Sequence, residues 1–218
     1  MKTMHIDDVL DRAHVVSLPL AVRFRGITTR EALLIEGPAG WGEFAPFLEY
    51  GPAESAAWLR AGLEAAYEGF PEPVRDSIEV NATIPAVPAS EVPAVVERYP
   101  GCRTFKIKVA EKGHTLADDA ARVRAVRDAV TQRGDIPILR VDANGGWSVD
   151  EAVEAAQTMM PLDYMEQPCA TTEELAQVRG RLMRAGLFVR VAADESIRKA
   201  ADPYRVAELQ AADVAVVK

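Results

Sequence analysis

From residue 77 onward the sequence alternates between short β-rich runs and helical stretches. The runs are "SIEVNAT", "TFKIKVA", "PILRVDA", "DYMEQ", "FVRVAAD" and "DVAVVK". Between them lie "ASEVPAVVERY", "TLADDAARVRAVRDAVTQRG", "SVDEAVEAAQTMM", "TTEELAQVRGRLMRAG" and "DPYRVAELQAA". A helix between consecutive strands lets them run parallel in one sheet. "SVDE" and "TTEE" read as capping boxes that start two of the helices. An open doubly wound sheet and a barrel both fit the alternation. No glycine-rich phosphate loop follows the first run, which weakens the nucleotide-binding version.

Residues 1–76 read differently. "AHVVSLPLAV" and "REALLIEG" are expected strands, and "GPAGWG" before "EFAPF" is an expected turn. "PAESAAWLRAGLEAAYEGF" is an expected helix, with Pro52 and Glu54 at its start and Gly69 near its end. "PEPVRD" (71–76) is the expected linker. The chain therefore divides into an α+β domain over 1–76 and an α/β domain over 77–218.

Polar residues fall at or near the carboxyl ends of the runs in the second domain, where barrel active sites sit. The second run carries Lys106 and Lys108, on one face by the period of two. The third carries Arg140, Asp142 and Asn144, the fourth Glu166, the fifth Asp194, and the sixth ends at Lys218. A barrel would aim them at one mouth. Three converging carboxylates repel one another unless a hard divalent cation lies between them, and their oxygens suit Mg²⁺. No histidine or cysteine cluster favours Zn²⁺. An ammonium beside a second ammonium and a cation is expected to lose proton affinity and serve as a base. Such a site suits proton abstraction next to a metal-bound carboxylate. Taken singly, a strand-end aspartate is an ordinary cap or turn former, and a lone Lys-x-Lys is ordinary edge protection. The joint set carries the functional reading.

Other features read as structural. His5, His14 and His114 are expected at the surface. Trp41 and Trp58 are expected as core or loop anchors, Trp147 over the third loop, and Met159-Met160 as core filler. "VRAVRDAVTQR" is expected to be helical with a solvated basic face. The net charge of −8, with no basic block, argues against nucleic-acid binding. No apolar run reaches the roughly 18 residues of a membrane span. "MKTMHIDDVLDR" lacks the apolar core of a signal peptide. Cys102 and Cys169 are expected as reduced thiols of a cytoplasmic protein. The sequence specifies no oligomeric state.

"KIK", "DAN", "EQP" and "DES", with a lysine one unit later, resemble the enolase superfamily, and within it the muconate-lactonizing branch. The likeness covers essentially the whole chain. "RVDAN", "RFRG" and "GWGEFAPFLEYGP" are similar to the o-succinylbenzoate synthase family in particular. The resemblance implies a modified TIM-type (β/α)7β barrel with an N-terminal capping domain. Residues 1–76 would be the cap and 77–218 the first six barrel units. A seventh and an eighth strand would lie beyond Lys218, so a longer polypeptide is expected, and a 218-residue product is expected to be unstable or to aggregate.

The resemblance also implies roles. Asp142, Glu166 and Asp194 would hold Mg²⁺, with Mn²⁺ as the alternative. Lys108 would take the α-proton and return it to the departing hydroxyl. Lys218 would stabilise the enolate from the other side. Lys106 would depress the pKa of Lys108 and help hold the substrate carboxylate. Arg140 and Asn144 would belong to the surrounding polar network, and loops near 18–26 and 46–52 would close over a small-molecule carboxylate. The implied reaction dehydrates 2-succinyl-6-hydroxy-2,4-cyclohexadiene-1-carboxylate to o-succinylbenzoate, a menaquinone precursor. An N-acylamino acid racemase, a dipeptide epimerase and a muconate cycloisomerase share the two lysines and are the rivals. A Schiff-base aldolase needs no carboxylate triad, and an inactive metal-binding fragment is disfavoured by the intact set.

Overall fold

In a computed structural model, which describes residues 5–24, 27–199 and 202–217, the chain divides into two units, Met1–Asp76 and Ser77–Lys218. The first begins with a short helix, α1 (Ile6–Leu10), and a three-stranded antiparallel meander: β1 (Ala13–Phe24), β2 (Ile27–Gly37) and β3 (Gly40–Phe44). Residues 18–24 belong to β1 and not to a loop, because β1 pairs with β2 as far as Phe24 opposite Ile27. Residues 25 and 26 of the expected 18–26 loop lie outside the described residues. The turn expected over "GPAGWG" shrinks to Pro38 and Ala39, and Gly40 opens β3 opposite Gly37.

Helix α2 (Pro52–Tyr67) packs on β2 and β3, burying Ile35, Ala66 and Val9 together. The glycines allow this closeness. A Cβ on Gly42 would lie 1.9 Å from the Gly62 carbonyl oxygen, and one on Gly62 would lie 2.6 Å from that of Glu43. Backbone thus meets backbone where any side chain would wedge the layers apart. Trp58 packs in an aromatic cluster with Phe47 and Tyr50. Trp41 is exposed and leans on His14, so it is not a core residue.

The second unit is one parallel sheet of six strands in sequence order: β4 (Ala82–Ile84), β5 (Thr104–Lys108), β6 (Ile138–Asp142), β7 (Tyr164–Glu166), β8 (Arg190–Ala193) and β9 (Val214–Ala215). The connecting helices are α3 (Val92–Val96), α4 (Leu116–Gln132), α5 (Val149–Met159), α6 (Thr172–Arg184) and α7 (Asp202–Glu208). A doubly wound sheet reverses its strand order at a switch point. This order never reverses, so the sheet is a wall of a barrel. The first expected strand is shorter than its pattern: only Ala82–Ile84 pairs with β5, and Ile78 and Val80 are exposed. The sixth is reduced to two residues. Lys218 lies outside the described residues.

Ser148 with Glu151 and Thr171 with Glu174 form the expected capping boxes, and Thr115 with Asp118 forms a third that starts α4. Trp147 is buried in the core. The basic side of α4 is not simply solvated. Arg127 donates to the Met159 and Pro161 carbonyls, and Arg133 to those of Tyr99 and Cys102. Among the described residues no helix is long and apolar enough to cross a membrane.

One buried ion pair fastens α4 to the carboxyl end of β5. Arg122 and Asp119 are each 1% exposed. The Arg122 guanidinium donates to the carboxylate of Asp119 at 2.6 Å and to the carbonyls of Val87 (2.6 Å) and Lys108 (2.9 Å). It also meets Nδ1 of the otherwise exposed His114 at 2.7 Å. Asp119 in turn accepts from the backbone N–H of Ala110 at 2.8 Å. Arg122→Met leaves a buried carboxylate and two carbonyls without their donor. It is expected to lower unfolding free energy by about 3–5 kcal/mol in urea titration, the cost of orphaning a buried charge; a loss below about 1 kcal/mol would refute that account.

The thiols of Cys102 and Cys169 are both free. Burial first, then the charges of Glu174 and Glu151, pushes the Cys169 thiol from 9.0 up to about 12. At pH 8 its thiolate is then about a thousandfold scarcer than at the ordinary value, since each unit is tenfold. Iodoacetamide should label Cys169 only after unfolding, with peptide mass spectrometry as the readout. Equal labelling of Cys169 in the native and unfolded protein would show that the thiol is not sequestered.

Candidate active site

Parallel pairing sets the site's geometry. Lys108 stands opposite Asp142, and Asp142 opposite Glu166, so three charged residues occupy neighbouring positions on β5, β6 and β7. One pleat below, Lys106 stands opposite Arg140 and Arg140 opposite Tyr164. Side chains two residues apart share a face, so both layers point the same way.

The lysines lie directly on the carboxylates. Lys108 Nζ is 2.5 Å from Asp142 Oδ2 and 2.7 Å from Asn144 Oδ1. Lys106 Nζ is 2.7 Å from Glu166 Oε1 and 3.2 Å from Asp142 Oδ2. Asp142, Glu166 and Asp194 are all buried. Asn144 donates its backbone N–H to Asp142 Oδ1 at 3.1 Å and its side-chain amide to Glu195 Oε1 at 3.1 Å, and Arg198 holds that same oxygen at 2.7 Å. A chain of contacts thus runs from Lys108 through Asn144 to Glu195 and Arg198.

Arg140 faces elsewhere. Its guanidinium donates to Asp163 at 2.9 Å and to Asn81 at 2.9 Å, and it stacks 4.7 Å over the Tyr164 ring. Its hydrogen bonds go to the amino-terminal side of β4 and β7, not to the three carboxylates. Lys106 in the same layer does reach Asp142 and Glu166, so what turns Arg140 away is its own set of partners, Asp163, Asn81 and the Tyr164 ring.

The backbone is strained where the site residues end. Ala110, Asn144 and Gln167 have φ of 58°, 47° and 38°, the left-handed region that non-glycine residues rarely adopt. They follow Lys108, Asp142 and Glu166 by two, two and one residues. Strain of this kind persists only where surrounding contacts enforce it, and it gathers at functional sites.

Charge is unbalanced in the pocket. Burial raises the Glu166 carboxyl above its ordinary value, and the charges of Asp142 and Asp194 add to that, against the hydrogen bond from Lys106. For Lys106, burial favours losing the proton, but Glu166 and Asp142 together outweigh it and hold the ammonium above its ordinary value. Carboxylates dominate the surroundings of Lys106 in the absence of a cation. The Glu166 shift comes first from burial and the Lys106 shift from its two carboxylate partners; three acids to two lysines leave the pocket a surplus of negative charge.

A hard cation fits that surplus. The three acids offer only oxygen donors. Glu166 Oε2 is wholly buried and has no hydrogen-bond partner among the described residues, a condition with a high desolvation cost unless a cation meets it. As the side chains stand, no three His, Cys, Asp or Glu residues among those described close into a metal cluster. The ammonium groups of Lys106 and Lys108 take the acid oxygens instead, and would have to yield them to a cation.

Sequence reasoning left two residues without roles. Gln167 and Glu195 lie inside "EQP" and "DES", beside the acids that were singled out. Their adjacency was the signal; their hydrogen bonds, reaching across to other strand ends, were not visible in one sequence.

Comparison with known proteins agrees with this architecture. An enolase N-terminal domain-like family matches residues 15–66, and an enolase C-terminal domain-like family matches residues 89–218. An o-succinylbenzoate synthase of Mycolicibacterium smegmatis is 59% identical over 98% of this chain. The chain spans 64% of that relative's length. A mandelate racemase/muconate lactonizing protein of Herpetosiphon aurantiacus superposes with a TM-score of 0.67 at 26% identity, covering 94% of this chain and 72% of that one. An o-succinylbenzoate synthase of Thermosynechococcus elongatus, solved with magnesium in its active site, shares the fold with a TM-score of 0.67 at 21% identity, covering 94% and 75%. With a partial barrel wall whose strand ends gather lysines and acids, and with family matches over both units, the chain belongs to the enolase superfamily.

Proposed function

We propose that this chain carries the catalytic residues of a divalent-metal-dependent o-succinylbenzoate synthase. The observation that carries the reading is the 59% identity to such an enzyme across 98% of the chain. The chemistry of the pocket supports it independently. Asp142, Glu166 and Asp194 would hold Mg²⁺, with Mn²⁺ as a substitute. Bound there, the ion would neutralise charge gathering on the substrate carboxylate as the neighbouring carbon loses its proton.

The chain's own groups do the rest. Lys108, within reach of both Asp142 and Asn144, takes the proton from the carbon next to the carboxylate. The C–H electrons pass into the carboxylate as an enolate, then return to form a ring double bond as the C–O bond of the hydroxyl breaks. The same Lys108 returns its proton to the leaving oxygen, so water departs and the ring becomes aromatic. Lys106 stands beside Glu166 to meet the substrate carboxylate, and Asn144 steers the Lys108 ammonium. Lys218 would face the substrate from the opposite side. Arg140 would act at a distance, by fixing β6 against Asp163 and Asn81. The product would enter menaquinone biosynthesis in the cytoplasm.

The test is turnover of the hydroxycyclohexadiene substrate by the full chain with Mg²⁺, followed by ultraviolet absorbance. Lys108→Ala should lose about 10²–10⁴-fold in kcat, the usual worth of a positioned general base. EDTA should abolish activity, and added Mg²⁺ should restore it. An intact, metal-loaded protein that leaves this substrate unchanged but exchanges the α-hydrogen of N-acylamino acids or dipeptides with deuterium oxide would overturn the assignment in favour of racemase or epimerase.

A further inference from the structure

Gln167 is wholly buried, yet nothing in the proposed reaction uses it. Its side chain makes four hydrogen bonds. Its carbonyl oxygen accepts from the backbone N–H groups of Asp194 and Ser196, each at 3.1 Å. Its amide donates to the Cys169 carbonyl at 3.0 Å and to Ser196 Oγ at 2.8 Å. Its backbone adds two more: the N–H donates to the Ala192 carbonyl at 2.8 Å, and the carbonyl accepts from Gly145 at 2.7 Å. One residue therefore ties together the segments after β6, β7 and β8, which carry Asp142, Glu166 and Asp194.

Its backbone sits in the left-handed region at φ 38°. That conformation turns the chain immediately after Glu166, and the side chain then spans to the β8 end. Such strain needs enforcement, and six hydrogen bonds supply it. An amide is the side chain for the task, because it accepts at one end and donates at the other. Leucine or methionine of similar size would take this acceptor from the buried N–H of Asp194 and the half-buried N–H of Ser196.

We infer that Gln167 is a positioning residue that sets the separation of Glu166 and Asp194 and so fixes the affinity of the pocket for a divalent cation. The inference rests on the proposed metal site. It goes further in assigning part of the affinity to a residue that offers the ion no ligand atom. Partners that orient ligands from behind are typically worth about 10–100-fold in metal affinity.

The experiment measures Mn²⁺ binding to the full chain by loss of the free-ion electron paramagnetic resonance signal. No substrate is needed. Asp194→Asn serves as the ligand-loss control, and Val178→Ala, a core truncation on α6, as the stability control. Gln167→Met is expected to weaken Mn²⁺ binding about 10–100-fold. At saturating Mn²⁺, its kcat should recover to within about threefold of the parent, since the loss lies in ion placement and not in Lys108. Ser196→Ala removes one of the four side-chain partners and should weaken binding by about threefold, which keeps the idea testable if Gln167→Met does not fold. Val178→Ala should lower thermal stability without moving Mn²⁺ affinity. If Gln167→Met, or Ser196→Ala in its place, binds Mn²⁺ as tightly as the parent while Asp194→Asn does not, the inference fails and the metal site stands. If the parent itself binds no Mn²⁺, the site and the inference fall together.

Discussion

Parallel pairing in register forces charged residues on β5, β6 and β7 into adjacent places, and the site depends on how that crowding is met. Neighbouring strands lie about 4.8 Å apart. Lys108, Asp142 and Glu166 therefore cannot separate without breaking the ladder. The alternation of signs makes this tolerable: lysines from β5 reach across to acids on β6 and β7. The balance still falls on the negative side, with Asp142, Glu166 and Asp194 against two lysines, and against burial Glu166 and Asp142 hold the Lys106 ammonium above its ordinary value. A pocket so charged is costly for folding and useful for holding a cation.

Rigid supports behind the pocket bear that cost. On one side, the buried pair of Arg122 and Asp119 clamps the carboxyl end of β5 through the Lys108 carbonyl and the Ala110 N–H. On the other, Gln167 fastens the ends of β6, β7 and β8. Both supports use polar groups removed from water and almost fully partnered, the condition under which buried polar contacts specify one geometry. The left-handed residues Ala110, Asn144 and Gln167 mark where these supports override local preference.

Much of this was legible in the sequence because it follows from period and spacing. The βα alternation gave the parallel sheet, and acids at successive strand ends put Asp142 beside Glu166. Two helix starts were readable as Ser148–Glu151 and Thr171–Glu174, because the box has a fixed spacing. Thr115–Asp118 was missed because its acid is shorter than the usual Glu or Gln. The "SIEVNAT" run misled because alternation describes a face, while a strand also needs a partner; only Ala82–Ile84 has one. Arg127 and Arg133 looked solvated because periodicity places the Cα of an arginine but not the end of its long side chain. The roles of Arg122 and Gln167 depend on contacts 14 to 35 residues away in sequence, which no local pattern encodes.

The place of Asp194 follows from the same crowding. The register partner of Glu166 on β8 is Ala192, not an acid. An acid there would add a third carboxylate to the row that Asp142 and Glu166 already share, with no lysine on its own strand to oppose it. The sequence places alanines at 192 and 193 and delays the acid by two residues, to the point where β8 gives way to a 3₁₀ turn over Glu195–Ile197. In a barrel the strands tilt, so residues level with one another shift in register from strand to strand. The delayed Asp194 still acts on Glu166 electrostatically, but from a turn and not from the ladder. A turn lacks the ladder's rigidity. The N–H of Asp194 is held instead by the Gln167 amide, so the acid that the sheet could not hold in register is held by the residue that follows Glu166.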